Sequence, residues 1–373
     1  MKYYLIAGEA SGDLHGSNLV KALKKQDNQA QFQFWGGDLM AQELGKPRKH
    51  IQDLAFMGFY EVVKNLPTIL NNIKFCKTDI LQFAPDVLIL IDYPGFNLRI
   101  AKWAKTMGIQ VFYYISPQLW AWHSSRAKTI KACVDRMYVI LPFEKEFYKK
   151  YQLEVDFVGH PLLDVVEGIS YQKADGFNLP PKAKTIALLP GSRKQEIKKM
   201  LTEMLAMVSK FADYHFVIAG APSIEMTVYE EIINDFFKDK GIPKNLRILQ
   251  NQTHFLLRNS YAALVTSGTA TLETALFEVP QIVCYKGNAL SFLLARQLVN
   301  VEYISLVNLI AEKEVVKELI QKELNPDNLK VELIKILDLE FRNQMIESYQ
   351  EVKKKLGGVG ASERAAKLMV DRL

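Results

Sequence analysis

Two short stretches of small and hydroxylated residues carry the clearest chemistry in the sequence. In TIALLPGSRKQE (185–196) an apolar run breaks into Pro190-Gly191-Ser192-Arg193, and charged residues at helical spacing follow. In VTSGTATLE (265–273) a second apolar run ends at Thr266, and Ser267, Gly268 and Thr269 open another helix-spaced stretch. A strand that turns tightly into a helix leaves unpaired backbone N–H groups and the positive end of the helix dipole at the turn, a combination that holds an anion. Gly191 permits close backbone approach. Ser192 is placed to cap the helix, with Glu196 completing a capping box, and Arg193 can fork onto a phosphate or diphosphate. Glu273 stands one turn into the second helix, where a carboxylate can accept from ribose hydroxyls. Each turn has an ordinary reading as well: a capped helix with a solvated arginine, or an acid facing the dipole. Two such turns in one half of the chain point to a nucleoside diphosphate more strongly than either alone. Neither is a Walker loop or a G-x-G-x-x-G fingerprint.

The first half offers carboxylates instead. AGEASGDLHG (7–16) surrounds Glu9 and Asp13 with small residues. Asp13 is placed to cap a helix, whereas Glu9 is harder to explain by packing; His15 is expected on a helix surface. ILIDYPGFN (89–97) puts Asp92 at the end of an apolar run, where it can serve as a general base or, more plainly, start an Asx turn before Pro94. SPQLWAWHSSR (116–126), with Trp120, Trp122, His123 and Arg126, lines a sugar pocket or covers a sheet. His160 in VGHPLLD (158–164) is expected to be structural or lining. LAFMGFYEVVKNLPTILNNIKF (54–75) gathers Phe56, Met57, Phe59, Val63 and Leu66 with several lysines. An amphipathic basic helix of this kind lies on a membrane surface or covers a sheet, and Pro67 is expected to kink or end it.

The elements that must position these residues alternate. YYLIAG (3–8), VLILID (87–92), IQVFYYI (109–115) and MYVIL (137–141) are near-continuous apolar runs separated by amphipathic stretches. This predicts a parallel sheet covered by helices on both faces. GISYQKADGFNLPPKAKT (168–185) interrupts the pattern, which then restarts with TIALLP, HFVIAG, LRILQN, AALVTS and PQIVCY. The reading is α/β, with one Rossmann-like domain over 1–167, a second over 168–340, and C-terminal helices over 341–373. From about residue 310 only helices are expected, and GGVGA (357–361) marks a hinge that lets the last helix pack back on the first domain. Open α/β sheets bind ligands outside the carboxyl ends of their strands, so two facing domains would form a cleft with one ligand on each wall.

Composition narrows the classes. The chain has 373 residues, 49% hydrophobic and 24% charged, enough for two well-buried domains. A net charge of +6 suits anionic ligands or an anionic membrane, but it is too weak and scattered to indicate nucleic acid. Cys76, Cys133 and Cys284 are isolated, as in a reducing compartment. The absence of CxxC, HExxH and D-x-D patterns predicts neither metal nor cofactor. No apolar run approaches the ~18 residues of a membrane span, and the N-terminal run is too short for a signal peptide. The expected location is cytoplasmic, with contact to a membrane surface. The sequence sets no oligomeric state.

GEASGD, IDYPGFN, YISPQLWAW, LPFEKEFY, VGHPLLD, LLPGSR, SGTATLE and SLVNLIA occur in this order between residue 3 and beyond 320. In this the chain resembles the lipid-A-disaccharide synthase family. The resemblance implies a GT-B glycosyltransferase. It would move 2,3-diacylglucosamine from its UDP derivative onto 2,3-diacylglucosamine 1-phosphate (lipid X), giving the β-1,6 disaccharide 1-phosphate and UDP. Such enzymes act peripherally at the inner face of the Gram-negative inner membrane, without a metal. Carried over by motif, Gly191, Ser192, Arg193, Ser267, Gly268, Thr269, Glu273 and Asn308 form the UDP wall. Glu9 and Asp92 face the acceptor, Arg193 also meets the leaving diphosphate, and Phe56, Met57, Phe59, Val63 and Leu66 meet acyl chains. Many members carry a second Asp in IDxPDFN where this chain has Gly95, which places more weight on Asp92. Two other readings share the UDP turns: a soluble GT-B enzyme such as a UDP-N-acetylglucosamine 2-epimerase, and a non-catalytic nucleotide-sugar-binding protein.

Overall fold

The computed structural model describes residues 1–54, 66–121, 124–168, 184–239, 241–287 and 302–373. Phe56, Met57, Phe59, Val63, the Leu66 side chain, Trp122, His123 and most of the 168–185 stretch lie outside the described residues. The chain divides into two compact units, Met1–Asp164 with Leu356–Leu373, and Val165–Lys355.

The first unit is built on seven parallel strands: β1 (Lys2–Ala7), β2 (Gln31–Gly36), β3 (Lys49–His50), β4 (Val87–Ile91), β5 (Gln110–Tyr114), β6 (Arg136–Val139) and β7 (Asp156–Phe157). Their order is β3-β2-β1-β4-β5-β6-β7. Every residue of β4 is buried, which is why it reads as an unbroken apolar run. The chain leaves β1 in one direction through the helix Ala10–Gln26 and later returns to its other side through β4, so the order reverses between these strands. That is where an open α/β sheet opens a crevice. Ala7 pairs with Ile91, so residues just past the two strands emerge side by side.

The helix Leu66–Phe83 is tied to the sheet through Asp79, whose carboxylate accepts from Tyr4 Oη (2.6 Å), Gln33 Nε2 (2.7 Å) and Arg48 Nε (2.8 Å). Pro67 lies at the start of this helix as described, and residues 55–65, on which a kink or break there would depend, lie outside the described residues. β2, QFQFWG, alternates polar and aromatic residues, and its shorter apolar content hid it among the continuous runs. His15 is buried rather than on a surface, because Ala10–Gln26 packs against both the sheet and the last helix, Ala361–Val370. Gly360 N donates to Asp164 Oδ1 (2.5 Å) and Arg364 Nε to the Val158 carbonyl (2.8 Å), fastening that last helix within the first unit.

The second unit repeats the plan with six parallel strands: β8 (Thr185–Leu189), β9 (His215–Gly220), β10 (Leu246–Gln250), β11 (Ala262–Thr266), β12 (Gln281–Tyr285) and β13 (Lys317–Ile320). The order is β10-β9-β8-β11-β12-β13. β11 pairs with β8, Val265 opposite Leu189, so the chain leaves both strands at the same level. β13 corrects the expectation of helices alone beyond residue 310. Its KELI sequence opens with two residue types depleted in strands, but pairing with β12 and burial of Glu318 and Leu319 override that local preference. The helix Leu339–Lys355 packs on Pro326–Leu337 and on Leu306–Ala311 in this same unit.

Candidate functional site

In the first unit the turns after β1 and β4 place two carboxylates. Glu9 is the N-cap residue of Ala10–Gln26, in an extended conformation and with no side-chain capping bond, so its carboxylate is not spent on the helix. Asp92 follows β4 with φ +44°, and Tyr93 has φ +49°. Two successive non-glycine residues in the left-handed region cost about 1–3 kcal/mol each and persist only where neighbours over-determine them. Here the neighbours are buried. Asn97 Nδ2 donates to the Asp92 carbonyl (2.7 Å) and to that of Ile91 (3.2 Å). Tyr113 Oη donates to the same Asp92 carbonyl (2.5 Å), and Asp92 N donates to the Tyr114 carbonyl (3.1 Å). The Tyr93 ring lies against Gly8, where a Cβ would fall 2.2 Å from it, so only glycine fits the turn beside Glu9. The Asp92 carboxyl is held up at about 6, first by burial and then by the charge of Glu9, with a bond from the Tyr93 backbone opposing. A base titrating there is ionised at neutral pH yet still strong enough to accept a proton.

Other first-unit candidates are structural. Asp13 caps a helix, but not its own: its carboxylate accepts from Gly37 N (2.7 Å), Leu39 N (3.0 Å) and Met40 N (3.1 Å) at the start of Asp38–Leu44. Burial holds His15 at about 4, and burial plus the neighbouring His15 holds His160 at about 3, so both are neutral at physiological pH. Glu144, from LPFEKEFY, is buried and accepts from Leu141 N (2.9 Å) and Ile140 N (3.2 Å), with its carboxyl pushed up to about 7 by burial. Trp120 packs edge-on against Phe143 at 5.0 Å, so the tryptophan loop rests on the same segment.

In the second unit, Gly191 has φ +110°, and a Cβ there would meet Glu196 Oε2 at 2.2 Å. Glu196 reaches back to accept from Ser192 N (3.1 Å). Ser192 therefore does not cap: the N-cap of Lys194–Leu205 is Arg193, with no side-chain capping bond, and only the glutamate half of the expected capping box forms, one residue displaced. Ser192 and Arg193 are exposed at the tip of the turn.

At the neighbouring strand end, Gly268 is the N-cap residue of Thr269–Leu276, and Gly268 and Thr269 are exposed. The Ser267 hydroxyl donates to the Ile304 carbonyl (3.2 Å), and Thr271 Oγ1 to that of Gly268 (2.8 Å). Glu273 Oε1 is bonded to His254 Nε2. Asn308 is fully buried, and its side chain is occupied inside the protein. Nδ2 donates to the Val316 carbonyl (2.8 Å) and to Glu318 Oε1 (2.9 Å), while Oδ1 accepts from Val315 N (2.8 Å) and Val316 N (2.9 Å). Its amide therefore fixes the segment that meets Ser267 instead of reaching outward. The β8–β11 pairing thus brings the Gly191 and Ser267 turns together at the carboxyl end of the sheet's central strands, while Glu9 and Asp92 follow the strands at the switch point of the other unit. Asn97 lies in a motif already singled out; His254 and Tyr113 lie far in sequence from the residues they hold, and no local pattern marks them.

Residues 3–370 match the family model described as lipid-A-disaccharide synthetase. The lipid-A-disaccharide synthase of Syntrophus aciditrophicus is 42% identical over 369 residues, spanning 97% of this chain and 95% of the relative. That of Trichlorobacter lovleyi is 38% identical over 370 residues, spanning 98% and 96%. Among solved structures, the UDP-GlcNAc 2-epimerase of Neisseria meningitidis bound to UDP-GlcNAc has a TM-score of 0.67 at 14% identity, covering 100% of this chain and 99% of that one. A likeness at that identity shows the fold, which is the GT-B one of two parallel-sheet α/β units.

Proposed function

The chain belongs to the lipid-A-disaccharide synthase family and is a glycosyltransferase, and on that premise we propose that it condenses UDP-2,3-diacylglucosamine with 2,3-diacylglucosamine 1-phosphate. The product is the β-1,6-linked disaccharide 1-phosphate, and UDP leaves. The observation that carries this reading is the match of one family over residues 3–370, which spans both units. The second unit takes the UDP-sugar through the turns at Gly191–Arg193 and Ser267–Thr269, with Glu273 on the ribose. The first unit takes the acceptor, with Asp92 as base and Glu9 beside it.

Asp92 accepts the proton of the acceptor 6-hydroxyl as that oxygen bonds to the donor anomeric carbon. The bond from that carbon to the diphosphate breaks on the opposite face, inverting the centre through an oxocarbenium-like transition state. Negative charge grows on the departing diphosphate, where Arg193 and the backbone N–H groups of the two turns stabilise it more than in the ground state. Incubating the purified protein with both lipid substrates is expected to yield the disaccharide and one UDP per turnover. UDP-GlcNAc epimerisation without disaccharide would overturn the assignment.

Both substrates carry acyl chains, so the reading includes peripheral docking at the inner face of the inner membrane. Among the described residues no helix is long and apolar enough to cross a membrane. Support comes from Leu70, Phe75 and Leu81, exposed on Leu66–Phe83 just after the segment holding Phe56, Met57, Phe59, Val63 and Leu66. Replacing Phe59 and Val63 with Glu is expected to reduce partitioning onto anionic vesicles, measured by sedimentation, about a hundredfold or more, since each loses burial worth about 1.5–3 kcal/mol and about 1.4 kcal/mol is a factor of ten. Unchanged sedimentation would assign the segment to covering the sheet.

A further inference from the structure

We propose that His254 is a positioning residue for nucleotide recognition, holding the Glu273 carboxylate in the orientation that accepts hydrogen bonds from the ribose hydroxyls of a bound nucleoside diphosphate. This rests on the reading of Glu273 given above and adds the group that makes it work. A glutamate at the edge of a site has three rotatable bonds, and ordering it only when ligand arrives weakens binding. Glu273 does not wait for ligand: its Oε1 is already bonded to His254 Nε2. A carboxylate has about four lone-pair positions, so one bond to an imidazole leaves capacity for a pair of vicinal hydroxyls.

The imidazole is itself fixed. Its ring stacks on Phe277, with centroids 5.7 Å apart and planes 29° apart, and Phe277 is the C-cap residue of the helix that carries Glu273. The guanidinium of Arg258 lies 5.9 Å from the same phenyl ring. His254 belongs to the short helix Thr253–Arg258, which is anchored by Leu256 and Leu257 in a core cluster with Ala187, Leu189, Ala263 and Val265. Those four residues belong to β8 and β11, the strands that lead into the two phosphate turns. The ribose acceptor and both turns are therefore referenced to one packed core. His254 itself is only partly buried, with 34% of its side chain exposed, so the pair stands at the surface where a ligand can reach it.

The test compares UDP with 2′,3′-dideoxy-UDP by calorimetric titration into the wild type, His254→Ala and His254→Gln. The wild type is expected to favour UDP by roughly tenfold or more, the weight of hydroxyl bonds to a charged acceptor. His254→Ala should lose about that factor for UDP while its affinity for the dideoxy compound stays within about twofold, because only the ribose contribution goes. His254→Gln, which keeps a donor, should recover most of the preference. A His254→Ala chain that retains the wild-type preference overturns the proposal, and so does a His254→Gln chain that loses as much as the alanine variant. Failure of the wild type to bind UDP at all would instead overturn the nucleotide reading of the second unit.

Discussion

Asp92→Asn is expected to cut turnover by about 10²–10⁴, the range general-base catalysis contributes, while leaving UDP affinity unchanged. The amide keeps the shape of the side chain, and the strained turn is set by its backbone, which Asn97 and Tyr113 clamp at the carbonyl. What disappears is an acceptor for the proton. The pH dependence separates this from a general loss of structure. A base must be ionised, so kcat/KM of the wild type should rise with pH through about 6 and level off above it. That limb should be missing from the residual activity of the variant. Glu9→Gln provides the complement: removing the negative charge that raises Asp92 should move the limb to lower pH with turnover largely kept. Loss of turnover in Glu9→Gln with survival in Asp92→Asn would exchange their roles.

Arg193→Ala is the second large effect, expected to lower kcat by about 10²–10³, as for loss of one preorganised donor at a developing charge. Arg193 is at the exposed tip of its turn. Gly191 and the Glu196 bond to Ser192 N shape the turn, and the Arg193 side chain does not cap the helix. Circular dichroism of the variant checks that the fold is kept. UDP affinity should fall as well, because in the proposed mechanism the same guanidinium meets the diphosphate before and after the sugar leaves. Arg193→Lys keeps the charge but not the fork, and should fall between the two. Near-normal turnover in Arg193→Ala would remove the leaving-group role.

What could be read in the sequence followed from burial. β1, β4, β5, β8 and β11 are buried on both faces, so each appears as an apolar run, and open α/β sheets in general gather ligands at such strand ends. Asp92, Gly191 and Ser267 could be found because they stand directly after such runs. The other elements are settled by distant partners. Asp13 caps a helix about 25 residues on in the chain. β13 owes its form to β12, and Asn308 owes its burial to Val315, Val316 and Glu318. His15 looked solvated because the last helix, far away in sequence, is what packs on its neighbourhood. Spacing along a chain reports the local period of a helix or strand; it says nothing of which remote group will fill a lone pair.

The division of labour between the two units is tested most directly by titrating UDP into the wild type, Asp92→Asn and Arg193→Ala under one set of conditions. Equal affinity in the first two, with a loss of about tenfold or more in the third, is the predicted result. Weakened UDP binding in Asp92→Asn together with unaltered binding in Arg193→Ala would contradict it.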